Sequence, residues 1–155
     1  MTAQDVDQIL NYLPISDTLA TAGQPVRQQF REIKAAGYDL VINLAMPDSP
    51  NALPNEAELV AAHGMEYIHI PVVWEKPTAD DLECFFEVMA ANETRRTFVH
   101  CALNMRVSVF VYLYRVLRQA VPPDVAREPM LQIWQPDPVW SQFLRDSLAR
   151  YGVSA

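Results

Sequence analysis

The sequence predicts an α/β fold with a central, mostly parallel sheet of four to five strands flanked by helices. Through the middle of the chain, short apolar runs rich in β-branched residues alternate with segments of helical periodicity. The twelve prolines are spread along the chain and lie mainly at the junctions between these segments. Half of the 155 residues are apolar, which is enough for one hydrophobic core, so we expect a single domain over residues 1–155.

The first elements are expected to be a hairpin and a helix. Residues 15–25 predict a short edge strand or hairpin that runs into a turn. In the segment that follows, Val26, Phe30 and Ile33 recur at spacings of four and three, typical of one apolar helix face. Gly37 is expected to end this helix.

The middle of the chain predicts a strand, a helix, a strand and a helix over residues 38–45, 55–64, 65–73 and 79–92. The first of these strands is apolar and β-branched, as expected for a strand buried on both faces. Asn55 is expected to cap the first helix. Thr78, with Asp81 three residues later, predicts a capping box at the start of the second.

The last elements are a strand over residues 97–101, a buried helix over 107–117 and two further helices over 123–134 and 138–151. Residues 121–155 are assigned only to helical packing. In open α/β sheets, ligands bind beyond the carboxyl ends of the strands. Cys101 is predicted to lie at such an end.

The charge balance argues against some partners. With 19 acidic and 12 basic residues the net charge is −7, so we expect no nucleic-acid and no membrane partner. The N-terminus carries two aspartates where a signal peptide would carry basic residues, and no apolar run approaches the roughly 20 residues of a membrane helix. We therefore expect a cytoplasmic protein. Its acidic surface and abundant aromatic residues are compatible with a homodimer.

Cysteine and histidine spacing indicates neither a disulfide nor a metal site. Cys84 and Cys101 lie in unlike segments, and Cys84 is interpreted as a packing residue of its helix. The three histidines are not gathered on one element, so we expect no metal and no other cofactor.

The segment from His100 to Arg106 joins a buried strand to a buried helix. Such a loop presents free backbone N–H groups and the positive end of the helix dipole, which together favour an anion. A cysteine in that field becomes more acidic and therefore more nucleophilic. Arg106 can fork onto two phosphate oxygens, and His100 can orient the loop through hydrogen bonds.

The stretch "FVHCALNMRVSVFVYLYRV" resembles the phosphate-binding loop of the cysteine-dependent protein tyrosine and dual-specificity phosphatases. With "TLATAGQP", "VINLA" and "HGMEYIHIPV", the likeness extends over about residues 15–120, to a bacterial dual-specificity-like subfamily with a short loop. It implies a protein tyrosine phosphatase-like fold and hydrolysis of a phosphate monoester, on a small anionic substrate or a phosphoprotein. It also implies Cys101 as nucleophile, Arg106 as clamp, and a phosphate-binding loop of Ala102, Leu103, Asn104 and Met105.

The loop departs from the family pattern. The family has five residues between Cys and Arg with a glycine third after Cys, whereas four intervene here and Asn104 replaces the glycine. Asparagine is the best substitute where φ must be positive. The hydroxyl residue that usually follows Arg is replaced by Val107, and Ser108 follows. Anchoring the register on Cys101 makes Ser108 the supporting hydroxyl. Anchoring it on Arg106 shortens the loop, which we favour because a buried helix resists register shifts.

A phosphatase also needs a general acid, which the resemblance places in the loop after the strand that ends near residue 73. Glu75 is the best candidate and Asp48 a weaker one, since Asp80 and Asp81 are explained as first-turn charges of a helix. Trp74 in the same loop either lines the substrate pocket or forms a hydrophobic plug.

Two other functions stay open at this point. Rhodanese-like sulfurtransferases also use a cysteine in an amide-lined loop, commonly with four residues between Cys and a terminal Arg. A phosphate-binding module without turnover is the third possibility.

Overall fold

The centre of the molecule is a five-stranded sheet. The computed structural model describes residues 3–153, with side chains from residue 6 onward. The strands are β1 (Leu13–Ser16), β2 (Leu19–Ala22), β3 (Leu40–Asn43), β4 (Glu66–His69) and β5 (Thr97–His100), in the order β1-β2-β5-β3-β4. β1 is antiparallel to β2, and all other neighbours are parallel. The predicted sheet is confirmed.

Helices cover both faces of this sheet. After a short 3-10 helix (Ala3–Gln8), they are α1 (Gln29–Ala35), α2 (Glu56–Ala62), α3 (Ala79–Ala91), α4 (Met105–Arg118), α5 (Pro123–Ile133) and α6 (Pro138–Arg150). Val41 and Phe98 pack on the side of α1 and α2, whereas Ile42 and Val99 pack on the side of α3 to α6. Successive strand residues thus serve opposite faces, which explains the continuous apolar runs.

The predicted caps are confirmed in position but differ in geometry. The Oγ1 of Thr78 accepts a hydrogen bond from Asp81 N (3.1 Å), and Thr78 N donates to Asp81 Oδ2 (3.3 Å), so the capping box is present. Asn55 is the N-cap of α2, but its backbone is left-handed (φ 58°) and its side chain makes no capping hydrogen bond.

Two sequence predictions are wrong in detail. Val26 is 54 % exposed and precedes α1, because its N–H donates to the Gln29 side chain (2.8 Å) and α1 begins only there. Cys84 is exposed rather than a packing residue. The opposite face of α3 is the buried one, formed by Leu82, Phe85, Phe86 and Met89.

The sheet places Cys101 at its carboxyl edge, between two neighbouring strands. His100 is paired with Ala22 of β2 on one side and with Asn43 of β3 on the other. The chain then turns into α4 at Met105. Among the described residues, no helix has the length and apolar character needed to cross a membrane.

Candidate active site

The loop from Cys101 to Arg106 turns on Asn104. Asn104 is fully buried and left-handed (φ 70°), which confirms the positive φ expected at the glycine position. Its Nδ2 donates to Asn11 O (2.9 Å) and to Thr21 Oγ1 (3.0 Å), so the side chain ties the turn to the β1–β2 hairpin. Asparagine thus supplies both the conformation and the anchor.

The carbonyl groups of the loop face the protein and leave its N–H groups unused. The bonds to these carbonyls are His100 Nδ1 to Cys101 O (3.3 Å), Gln24 N and Asn51 Nδ2 to Ala102 O (3.0 and 3.1 Å), and Asn11 Nδ2 to Leu103 O (3.0 Å). The N–H groups of residues 102–106 donate to no acceptor in the part of the chain that the structure describes. Free N–H groups on one short loop form an anion-binding concavity.

Gly23 lets the neighbouring chain approach this loop closely. A Cβ atom at Gly23 would lie 2.8 Å from Ala102 O, too close for any other residue without a shift of backbone. The glycine therefore permits the close approach at which Gln24 N donates to Ala102 O and fixes the direction of this carbonyl group.

Arg106 is buried with a charge that no carboxylate balances. The residue is 6 % exposed, and its Nη1 donates to Val72 O (3.0 Å). Its Nε has no acceptor, and no carboxylate of the described residues forms an ion pair with it. A buried charge without a partner is costly. One edge of the guanidinium is thus held by Val72 O, while no carboxylate of the described residues compensates its charge.

Aromatic residues from distant segments surround Arg106. Its guanidinium lies 5.6 Å from the centre of the Trp74 ring. Trp74 packs in turn on Trp134 and Trp140, with ring centres 5.4 and 5.6 Å away, and Trp140 Nε1 donates to Trp74 O (2.9 Å). Trp74 is therefore at least a packing residue. The terminal segment, which the sequence assigned only to helical packing, reaches the site through these indoles.

The hydroxyl of Ser108 is engaged in two hydrogen bonds in the first turn of α4. It donates to Met105 O (2.6 Å) and accepts from Trp134 Nε1 (2.9 Å). The hydroxyl has one proton, which it donates to Met105 O. To donate to a thiolate at Cys101 instead, Ser108 would have to break this hydrogen bond. The supporting role of Ser108 stays a prediction.

The acid candidates lie at the surface. Glu75 and Asp48 are both exposed, and Asp80 and Asp81 lie in the first turn of α3 as expected. The general-acid role of Glu75 stays a prediction. In the described residues, no group of three or more histidine, cysteine or acidic side chains is placed to hold a metal ion.

A buried ion pair that the sequence did not predict lies behind Cys101. His100 Nε2 is 2.7 Å from Glu56 Oε2, and the two side chains are 0 % and 5 % exposed. Glu56 Oε1 also accepts from Gln24 Nε2 (2.7 Å). Burial alone would raise the pKa of Glu56, but the hydrogen bond and charge of His100, with hydrogen bonds from Gln24 and Tyr67, lower that pKa overall.

One signal for Glu56 was present in the sequence. Glu56 and Val60 are four residues apart on α2 and are both buried, so the carboxylate lies on the apolar face of the helix. An acidic residue at such a position requires a buried partner.

Residues 11–118 match the family described as the phosphatase-like domain of beta-lactamase hydrolase-like proteins. The chain belongs to this family. A beta-lactamase hydrolase-like protein of Xylella fastidiosa (strain Temecula1 / ATCC 700964) is 32 % identical over 112 residues, which is 70 % of this chain and 26 % of that protein. The phosphatase-like domain thus spans about a quarter of the length of the curated relatives it matches.

Solved structures agree with this assignment. A DUF442 protein of Shewanella putrefaciens CN-32, described as a candidate phosphatase, is 34 % identical, with a TM-score of 0.88 over 97 % of this chain and 99 % of that chain. Kinase associated phosphatase is 18 % identical, with a TM-score of 0.71 over 84 % and 87 %, and shows the fold alone. The predicted resemblance to bacterial phosphatases of the protein tyrosine phosphatase-like fold is confirmed.

Proposed function

We propose that this phosphatase-like domain hydrolyses phosphate monoesters with Cys101 as nucleophile. The observation that carries the proposal is the loop itself, where unused N–H groups and the unbalanced charge of Arg106 follow directly after the cysteine. A phosphate dianion fits both features, since its oxygens accept hydrogen bonds and its charge compensates Arg106.

The reaction has two displacements. The Cys101 thiolate attacks phosphorus, the ester P–O bond breaks, and the leaving oxygen takes its electron pair and a proton from the Glu75 carboxyl group. The loop N–H groups and Arg106 hold the non-bridging oxygens. Water then attacks the phosphocysteine and gives a proton to Glu75. The P–S bond breaks, and inorganic phosphate leaves the regenerated thiolate.

A structural relative supports the role of Cys101. Kinase associated phosphatase, which shares the fold, is described as having a catalytic site cysteine. We propose the same role for Cys101, on small phosphate monoesters or phosphoproteins of the cytoplasm.

The test is hydrolysis of an aryl phosphate between pH 5 and 8. We expect Cys101→Ser to lose at least about 10³-fold in kcat, since removing a nucleophile removes the whole covalent route. Cys84→Ser is the matched control, because Cys84 lies exposed on α3. Acid quenching should trap phosphate on the Cys101 peptide of the wild type.

Either of two results would reject this mechanism. The first is turnover that survives Cys101→Ser. The second is Cys101-dependent transfer of sulfur from thiosulfate to cyanide without ester hydrolysis, which the four-residue spacing between Cys101 and Arg106 would then explain.

A further inference from the structure

Glu56 lies one side chain away from the nucleophile end of the loop. Its carboxylate contacts one ring nitrogen of His100, and the other ring nitrogen contacts the carbonyl oxygen of Cys101. We infer that Glu56 is a positioning residue, which holds His100 as a doubly protonated imidazolium and thereby stabilises the Cys101 thiolate. The consequence for turnover rests on the proposed function, whereas the consequence for the thiol does not.

The hydrogen bonds around His100 determine where its protons lie. Nδ1 faces the carbonyl oxygen of Cys101 (3.3 Å), which can only accept, so Nδ1 carries a proton. Nε2 faces Glu56 Oε2 (2.7 Å), which only accepts while the carboxylate is ionised. An ionised Glu56 therefore requires protons on both nitrogens of His100.

The surroundings keep Glu56 ionised. Besides His100, the carboxylate accepts a hydrogen bond from Gln24 Nε2 (2.7 Å), and the nearby Tyr67 hydroxyl also lowers the pKa of Glu56. Asn43 Nδ2 donates to the Tyr67 oxygen (3.0 Å), which leaves the hydroxyl proton for Glu56. Burial and the charge of Glu56 raise the pKa of Tyr67, so Tyr67 stays a neutral donor. These groups together favour the charged form of the carboxylate.

A neutral aromatic ring packs beside this pair. Phe30 of α1 turns its ring edge toward His100, with ring centres 6.4 Å apart. In the described part of the chain, Glu56 is the only carboxylate that forms an ion pair with His100. The pair is thus enclosed by neutral donors and an aromatic ring, where electrostatic interactions are strong.

The pair is oriented with its positive end toward Cys101. His100 precedes Cys101 in the chain and bonds its carbonyl, whereas Glu56 lies against the opposite nitrogen of the ring. The imidazole ring therefore lies between the carboxylate and the backbone of Cys101. The contact from Nδ1 also occupies the carbonyl oxygen of Cys101 (3.3 Å).

Glu56→Gln separates charge from shape. The amide keeps the size of the side chain and can hydrogen-bond His100 and Gln24. It lacks the negative charge that favours a second proton on His100. Glu58→Gln is the matched control, since it removes the same charge from an exposed position of the same helix.

The first measurement is the rate of Cys101 alkylation by iodoacetamide against pH, in a Cys84→Ser background that leaves one thiol. With Glu56→Gln we expect the midpoint to move up by about one pH unit, so that alkylation at pH 6 is about tenfold slower. Glu58→Gln should leave the midpoint unchanged. The inference is overturned if the Glu56→Gln protein unfolds cooperatively on heating and its alkylation midpoint equals that of the wild type. This outcome does not depend on whether the protein hydrolyses a phosphate ester.

The second measurement uses the wild type, so it does not depend on a variant that folds. In ¹⁵N NMR spectra of the histidine rings, assigned with single His63 and His69 variants, we expect both nitrogens of His100 to be protonated at pH 7. A neutral His100 ring would overturn the inference. If aryl phosphate hydrolysis is also found, kcat/KM should fall with Glu56→Gln and not with Glu58→Gln.

Discussion

The two ends of the Cys101–Arg106 loop are held by different forces. At the cysteine end, a buried carboxylate and imidazole bond the loop through charged hydrogen bonds. At the arginine end, a backbone carbonyl and a cluster of tilted indoles hold a guanidinium that pairs with no carboxylate of the described residues. The cysteine end is built to control charge, because its partners are ionisable. The arginine end is built to control geometry and to leave one charge for the ligand.

This difference is tested most directly at the arginine end. Arg106→Lys keeps the positive charge but loses the planar fork, so we expect kcat/KM for an aryl phosphate to fall about 10²- to 10³-fold. Steady-state kinetics of the purified variant checks this. The exposed Arg27→Lys is the control, and a loss below about threefold with Arg106→Lys would show that charge alone suffices.

At the cysteine end we expect an effect on stability that depends on pH. The pKa of Glu56 is lowered in the folded protein, so its stabilisation is fully present above the unfolded value of 4.5 and is lost as pH falls through the folded value. Glu56→Gln should lower the free energy of unfolding by about 1–2 kcal/mol at pH 7. In urea titrations the gap from wild type should close as the pH falls below 4.5. A gap that widens in acid would contradict the assignment.

Packing at the arginine end should respond differently. Trp140→Phe removes the N–H that bonds Trp74 O but keeps most of the buried ring, so we expect a loss of about 1 kcal/mol in stability. This loss should not change between pH 4 and 7, and the alkylation midpoint of Cys101 should stay in place. A shifted midpoint would mean that the two ends are coupled.

For an aryl phosphate, the smallest effect is expected at Glu75, which belongs to neither end. An aryl phosphate has a good leaving group, so Glu75→Gln should reduce its hydrolysis less than about threefold. With an alkyl phosphate, whose leaving oxygen needs a proton, the loss should reach about 10²-fold. Asp48→Asn is the comparison. If Asp48→Asn loses more alkyl phosphate hydrolysis than Glu75→Gln, Asp48 is the general acid.

The fold was predictable because its signals are local. The buried strands β3 and β5 have apolar, β-branched or aromatic residues at 40–42 and 98–99, and the turn at Asn104 needs a residue type that tolerates positive φ. The predicted helix start at Val26 was wrong because the Val26 N–H donates to the side chain of Gln29, where α1 begins, and the spacing of apolar residues does not indicate such a hydrogen bond.

The supports of the loop were not predictable, because they join segments far apart in the chain. Glu56 and His100 are 44 residues apart, and Trp74 and Trp140 are 66 apart. A pattern within one element shows that a side chain is buried, but not which residue it meets. Burial of an acidic side chain on the apolar face of α2 was the available hint for Glu56.

The cluster of indoles beside Arg106 gives the protein a built-in optical reporter. The chain has three tryptophans, and all three lie in this cluster, with ring centres 5.4–6.4 Å apart. Almost all of its intrinsic fluorescence therefore arises next to the guanidinium. An anion that neutralises Arg106 changes the electric field at Trp74, so titration with inorganic phosphate can be followed by emission alone, without a label and without turnover.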